Sequence, residues 1–69
     1  MTLILRSIYG LVVTYSTSQI RSIEHDVAGN LYDRSELEGN GIKPDESVMK
    51  INFTDGTQST FSSDWKIVF

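Results

Sequence analysis

His25 is the single histidine of the chain, and it stands between two carboxylates, Glu24 and Asp26. A histidine beside a carboxylate is the pair that general acid–base catalysis uses, provided that the carboxylate orients the imidazole ring. Alternate residues of a strand point to opposite faces, so within one strand neither neighbour can reach the ring of His25. None of the nine serines lies in a nucleophile-elbow pattern. We therefore expect no catalytic residue and no enzymatic activity.

The sequence also lacks the residue patterns that usually bind a metal, a phosphate group or a cofactor. It has no cysteine, and its carboxylates do not follow the alternating pattern with a closing Glu that a calcium loop requires. The glycines of Gly39-Asn40-Gly41 precede Lys43-Pro44 rather than a helix that begins with Lys-Ser or Lys-Thr, so the phosphate-binding pattern is missing. We expect neither a metal site nor a cofactor.

The middle third of the chain carries a strong negative charge. From Glu24 to Glu46, seven acids stand against two bases, Arg34 and Lys43, which leaves a local charge of −5, whereas the remainder of the chain carries +2. An even distribution of the nine acids would place about three in this stretch. We call these carboxylates the acidic segment: Glu24, Asp26, Asp33, Glu36, Glu38, Asp45 and Glu46.

Clustered carboxylates attract a basic patch on a partner and orient it during association. Tyr32 and Leu37 lie among the acids and are candidates for the apolar anchors that the centre of an interface needs. We therefore predict a non-enzymatic protein-binding module whose acidic face docks on a partner protein with a basic surface. The alternative is that the acids only keep a small domain soluble.

Two further functions stay open. Six aromatic rings and four bases could bind single-stranded nucleic acid by stacking, although a net charge of −3 opposes the attraction of phosphates. These residues are Tyr9, Tyr15, Tyr32, Phe53, Phe61 and Trp65 with Arg6, Arg21, Lys50 and Lys66. A free sheet edge at 2–5 or 65–69 could instead pair with a second copy, which would make the chain a self-assembling structural subunit and a homodimer.

A chain of 69 residues has room for one hydrophobic core, so we predict a single domain over residues 1–69. The longest apolar run, from Ile8 to Val13, is far shorter than the roughly 20 residues that span a bilayer. No cleavage site for a signal peptide follows Arg6, so we expect Met1 to begin the folded chain. A cytoplasmic location without membrane association is the expectation.

The N-terminal half predicts strands with one ambiguous stretch. Residues 2–15 are rich in residues that favour strands and are interrupted by Gly10, which indicates two strands or one strand with a bulge. Apolar residues recur at helical spacing after residue 16, so one short helix near 17–23 stays possible. Gly29-Asn30 stands between residues 23–26 and residues 31–33. A Gly-Asn pair between two such stretches favours a hairpin turn instead of a helix.

The C-terminal half predicts a loop and then a hairpin. Residues 38–46 contain the single proline and two glycines, which indicates a long loop. A three-residue turn at 54–56 would pair Met49 with Phe61 and place its glycine in the left-handed conformation. Trp65 to Phe69 alternates as a closing strand. The predicted fold class is mainly β: a small bent antiparallel sheet or an open five-stranded barrel.

One short motif resembles a known repeat. The stretch from His25 to Leu31, HDVAGNL, is similar to the tyrosine-aspartate repeat of large secreted toxin-associated proteins, in which an aromatic-Asp pair precedes a Gly-Asn turn. It occurs once and has His in place of Tyr, and it implies the hairpin at Gly29-Asn30 without implying a function. A short acidic chain of this kind also resembles accessory proteins of bacteriophages or mobile elements, which implies an inhibitor of a host protein that handles nucleic acids.

Overall fold

The computed structural model describes residues 1–68, which form six strands and two short helices. Phe69, the last residue of the predicted closing strand, lies outside the described residues. The elements are β1 (Thr2–Ser7), β2 (Val12–Ser16), β3 (Ile20–Val27), α1 (Ala28–Leu31), α2 (Arg34–Asn40), β4 (Ser47–Phe53), β5 (Gln58–Ser62) and β6 (Trp65–Ile67).

The strands form two antiparallel sheets of three strands each. Sheet A has the order β2-β1-β6, and sheet B has the order β3-β4-β5. The predicted class, mainly β with antiparallel strands, is confirmed. The strands number six and are divided between two sheets that pack face to face, and the described residues do not close into a barrel.

The main core lies between the two sheets, because each sheet contributes alternate apolar side chains. Leu3 and Leu5 of β1 pack with Met49 and Ile51 of β4 and with Phe61 of β5. Leu5 and Ile51 are completely buried. Full burial of one such side chain stabilises the fold by about 1.5–3 kcal/mol, so this layer is the main source of stability.

A second, smaller core lies on the other face of sheet B. Val48 points away from its neighbour Met49 because side chains alternate along a strand. It packs against Ala28 of α1 and Leu37 of α2, and all three are buried. The molecule therefore has three layers: sheet A, sheet B, and the two helices on the outer face of sheet B.

The β4–β5 hairpin has the register that the sequence predicts. Met49 pairs with Phe61, and the Phe53 N–H donates to the Thr57 carbonyl at 2.9 Å. Gly56 has a φ of 89°, the left-handed conformation that a three-residue turn of this type requires. Of the two options for residues 2–15, the structure has two strands, β1 and β2, with a turn at Gly10.

The predicted hairpin turn at Gly29-Asn30 is wrong, because both residues lie in α1. Gly29 does not have a positive φ. It lies instead against the loop before β4: its N–H donates to the Pro44 carbonyl at 2.9 Å, and a Cβ atom on Gly29 would be 3.1 Å from that oxygen. Glycine is suited to this position because two backbone segments approach closely there.

Two other local predictions are corrected. The helix considered near 17–23 is a single 3-10 turn at Thr17–Gln19, after which β3 begins. The predicted loop of residues 38–46 begins later, because α2 extends to Asn40 and ends at Gly41 in the left-handed conformation. A Glu36 carboxylate oxygen accepts the N–H of Asp33 at 2.9 Å and so stabilises the start of α2.

The two helical glycines provide a test of the close approach at Pro44. Gly29→Ala should lower the free energy of unfolding, because the new methyl group would press on the Pro44 carbonyl. Gly39→Ala is the control: a Cβ there meets no atom within 4 Å, so alanine should raise stability by up to about 1 kcal/mol. Urea unfolding of both variants measures the difference. Equal stability of the two variants would contradict the packing assigned to Gly29.

The β4–β5 turn should make stability depend on pH. The Thr57 hydroxyl and then the Thr57 backbone N–H donate to Asp55, which holds the pKa of that carboxyl below its ordinary value of 3.8. A lowered folded-state pKa stabilises the fold above the unfolded-state value, and this stability is lost as the pH falls through the folded-state pKa. Asp55→Asn should therefore lower the melting temperature at neutral pH, with the difference disappearing in acid. Thr57→Val should reduce the pH dependence, and an unchanged dependence would contradict this assignment.

Candidate functional site

The acidic segment is carried by β3, by α2 and by the loop between α2 and β4. Six of its seven carboxylates are exposed, and Glu46 is half-buried. The loop is tied to α1, because the Ala28 N–H donates to the Glu46 carbonyl at 2.8 Å. The elements that carry the acids thus belong to the helical layer and to sheet B, on the side away from sheet A.

The β3 acids lie on the outer face of sheet B. Asp26 pairs with Val48, which packs under the helices, and Glu24 pairs with Lys50 on the same face. Glu24 accepts a hydrogen bond of 3.0 Å from the Asn52 amide. His25 pairs with Met49 and lies on the opposite face, so the flanking carboxylates do not orient its ring.

Four predicted site residues, the three named next and Leu37, meet in one cleft between α2 and sheet B. Tyr32, Glu36 and Glu46 line a space of ≈ 600 Å³ whose apolar surface includes Leu37, Ile42 and Val48. Side chains of β5 and β6 form the remaining wall. We call this space the acidic cleft; it is lined by Tyr32, Glu36, Leu37, Asn40, Ile42, Glu46, Val48, Gln58, Thr60, Ser62 and Trp65.

Tyr32 is held in place on both its polar and its aromatic parts. Its hydroxyl forms a hydrogen bond with the Thr60 hydroxyl of β5. The Lys50 ammonium lies 4.7 Å from the centre of the Tyr32 ring, which is within range of a cation–π interaction. Lys50 therefore brings a positive charge beside the acidic segment. The local charge of −5 counted from Glu24 to Glu46 does not include Lys50. Pairing of β4 with β3, and not its position in the sequence, places Lys50 beside the acids.

The remaining acids are not gathered in the acidic cleft. Glu38 forms an ion pair of 3.2 Å with Arg34, one turn apart on the exposed face of α2. Surface pairs of this spacing contribute about 0.3–0.5 kcal/mol. Within residues 1–68 this is the single ion pair, so the other members of the acidic segment keep their charges available to a partner. Asp33 precedes α2, and Asp45 lies exposed in the following loop.

Leu37, the second candidate for an apolar anchor, lies in the smaller core under the helices. Its side chain is only 4% exposed and packs with Ala28 and Val48. A helix of seven residues must bury an apolar side chain to stay folded, and Leu37 is the buried residue of α2. Tyr32, which is half-buried at the cleft, is therefore the available anchor of the predicted pair.

Most aromatic rings pack in the core. Tyr15 and Phe53 have ring centres 5.0 Å apart, and Phe61 and Trp65 have ring centres 5.2 Å apart. These four rings belong to or border the core between the sheets. They do not form the exposed stacking platform that binding of single-stranded nucleic acid requires. Tyr9 is different, because it is 76% exposed at the β1–β2 turn.

His25 lines a second cleft of ≈ 520 Å³ at the end of sheet B, together with Trp65 and Lys66 of β6. In the part of the chain that the structure describes, no three His, Asp or Glu side chains are grouped closely enough to hold a metal ion. Neither helix in this part of the chain has the length and apolar character needed to cross a bilayer.

Comparisons with protein-family models, curated proteins and solved structures find no match for this chain. The geometry of the acidic cleft and of the surface around it is therefore the basis for assigning a function.

The contact between Tyr32 and β5 can be tested by removing one oxygen atom. Tyr32→Phe should lower the free energy of unfolding by about 1 kcal/mol, because the hydrogen bond to Thr60 is lost while the ring stays. Tyr9→Phe is the matched control at an exposed position and should leave stability unchanged. Urea unfolding measures both. A loss of the same size in the two variants would mean that the Tyr32 hydroxyl does not tie the residue after α1 to β5.

Proposed function

We propose that this chain is a non-enzymatic protein-binding module that docks its acidic cleft and the surrounding carboxylates on a basic surface of a partner protein. One observation carries the proposal: Tyr32, Glu36 and Glu46 line a single cleft with apolar surface. A cleft of this kind can accept an apolar side chain of the partner, while the carboxylates contact flanking bases.

The distribution of charge supports the same function. Exposed carboxylates without an internal cation attract a basic partner over about one Debye length, roughly 8 Å in physiological salt. Glu24 and Asp26 extend the negative surface across the outer face of sheet B. Such a surface raises the association rate and selects the orientation in which a partner arrives.

A basic groove that binds phosphate groups is the partner surface that fits an acidic module best, because carboxylates can take the positions of phosphates. The proposal therefore extends to an inhibitor of a protein that handles nucleic acids, acting in the cytoplasm, as accessory proteins of phages or mobile elements do. Occupation of the groove alone is sufficient for this inhibition and requires no chemistry from the inhibitor.

The test compares variants that have the same net charge. Glu36→Gln combined with Glu46→Gln removes two charges from the acidic cleft, and the glutamine at 36 can still accept the Asp33 N–H. The control is Gln19→Lys combined with Thr54→Lys, which shifts the net charge equally at exposed positions outside the cleft. Immobilised wild type and both variants are used to capture partners from lysate, and the captured proteins are identified by mass spectrometry.

A specific partner should bind wild type and the control but bind the Glu36/Glu46 variant about tenfold more weakly, which corresponds to about 1.4 kcal/mol. Binding should weaken at an ionic strength of about 1 M, where the Debye length is about 3 Å. Single-stranded DNA should displace the partner if its groove binds phosphates. Equal capture by all three proteins would contradict the proposed role of the acidic cleft.

A further inference from the structure

The β1–β2 turn exposes an unusual amount of apolar surface. Ile8, Tyr9, Leu11 and Val12 are 66%, 76%, 61% and 57% exposed. No other described element packs over them, and each lies outside both hydrophobic cores. We call these four side chains the apolar apex. Contiguous exposed apolar residues of this kind mark an interaction surface.

The apolar apex is held in a defined conformation. The hydroxyl of Ser7, a buried residue, accepts hydrogen bonds from the N–H groups of Tyr9 at 3.2 Å and Leu11 at 3.1 Å. Gly10 has a φ of 84°, which allows the tight turn between them. A turn that is already ordered loses little conformational entropy when it binds, so the apex is suited to insertion into a cleft.

Two bases lie directly behind the apolar apex on the outer face of sheet A. Arg6 pairs with Lys66 on β6 and with Val12 on β2, so the three side chains form one row across the sheet. Both bases are exposed, and neither forms an ion pair with another residue of the range 1–68. The Ile8 N–H of the apex donates to the Asp64 carbonyl, so one acid also lies beside the apex. The surface around the apex therefore carries two positive charges and one negative charge.

We propose that the apolar apex and its two bases dock into the acidic cleft of a second copy of this chain. The inference rests on the proposed function, in which the acidic cleft binds proteins. The apex is convex, apolar and flanked by bases. The cleft has a volume of ≈ 600 Å³, an apolar surface and two carboxylates, Glu36 and Glu46, so the two surfaces are complementary in polarity and charge.

The layers of the fold determine the kind of assembly. The acidic cleft is lined mainly by α2 and the outer face of sheet B and reaches sheet A only at Trp65, and none of the four apex residues lines it, so one copy carries two separate surfaces. The contact is therefore head-to-tail, and it extends into chains of copies unless the rotation between copies closes a ring. A two-fold contact between two apices is disfavoured, because it would bring Arg6 and Lys66 of both copies together.

Two variants that each lack one surface test this arrangement. Tyr9→Ser with Leu11→Ser removes apolar side chains that are exposed in the fold, and Glu36→Gln with Glu46→Gln removes the charges of the cleft. Sedimentation equilibrium of the wild type should show an average mass that rises with concentration. Each variant alone should self-associate at least tenfold more weakly than the wild type. Circular dichroism is the control that checks whether each variant is folded.

The equimolar mixture of the two variants is the decisive sample. The intact apex of one variant can enter the intact cleft of the other, so the mixture should form a one-to-one dimer that does not grow further. A wild type that stays monomeric up to about 1 mM would overturn the proposal. Self-association of the wild type without association in the mixture would also overturn it, because the contact would then be two-fold.

The outcomes separate this inference from the proposed function. A monomeric wild type whose partner capture still depends on Glu36 and Glu46 would reject self-association alone. If the wild type self-associates but no captured partner distinguishes the wild type from the Glu36/Glu46 variant, the proposed function is rejected. The chain would then be assigned as a self-assembling structural subunit. Flotation of the wild type with anionic lipid vesicles, lost in the Tyr9/Leu11 variant, would assign the apex to a lipid surface and overturn the proposal.

Discussion

Burial of β4 on both faces is the constraint on which the rest of the structure depends. Met49 and Ile51 pack against sheet A, while Val48, which directly precedes Met49, points to the other face and packs against α1 and α2. A chain of this size buries only about 60% of the surface that it exposes when unfolded, so its stability rests on few side chains. One central strand with two apolar faces joins all three layers.

The same layering separates the charges. The acidic segment lies in sheet B and the helical layer, whereas Arg6 and Lys66 lie on the outer face of sheet A. Repulsion among exposed carboxylates is weak because water and salt screen it. Lys50, whose ammonium lies over the Tyr32 ring, places one positive charge on this side of the molecule. The result is a domain with one acidic side and one basic, apolar side, which is the distribution that directional association requires.

The two proposals concern the same cleft and exclude each other at any one moment. A partner with a basic groove and the apolar apex of a second copy would compete for Tyr32, Glu36 and Glu46. Self-association would then cover both the exposed apolar surface and the acidic cleft until a partner with higher affinity arrives. Linkage of this kind makes the apparent affinity for the partner fall as the concentration of the chain rises.

Local sequence determined the mainly β class, the turn at Gly56 and the pairing of Met49 with Phe61, because alternation and turn chemistry act between residues close in the chain. It also determined the excess of acids. The helices could not be predicted in the same way: segments of four and seven residues are unstable alone and form because Ala28 and Leu37 are buried against Val48.

Only the tertiary structure decided which side chains meet. The acidic cleft joins α2, β4 and β5, and Tyr32 contacts Thr60, a residue 28 positions away in the chain. From residue type alone, Leu37 is a candidate interface anchor and Gly29 a candidate turn residue. In the structure Leu37 is buried in the helical layer, and Gly29 lies against Pro44. Charge is a property of the sequence, but the side of the molecule on which it lies depends on pairing between distant strands.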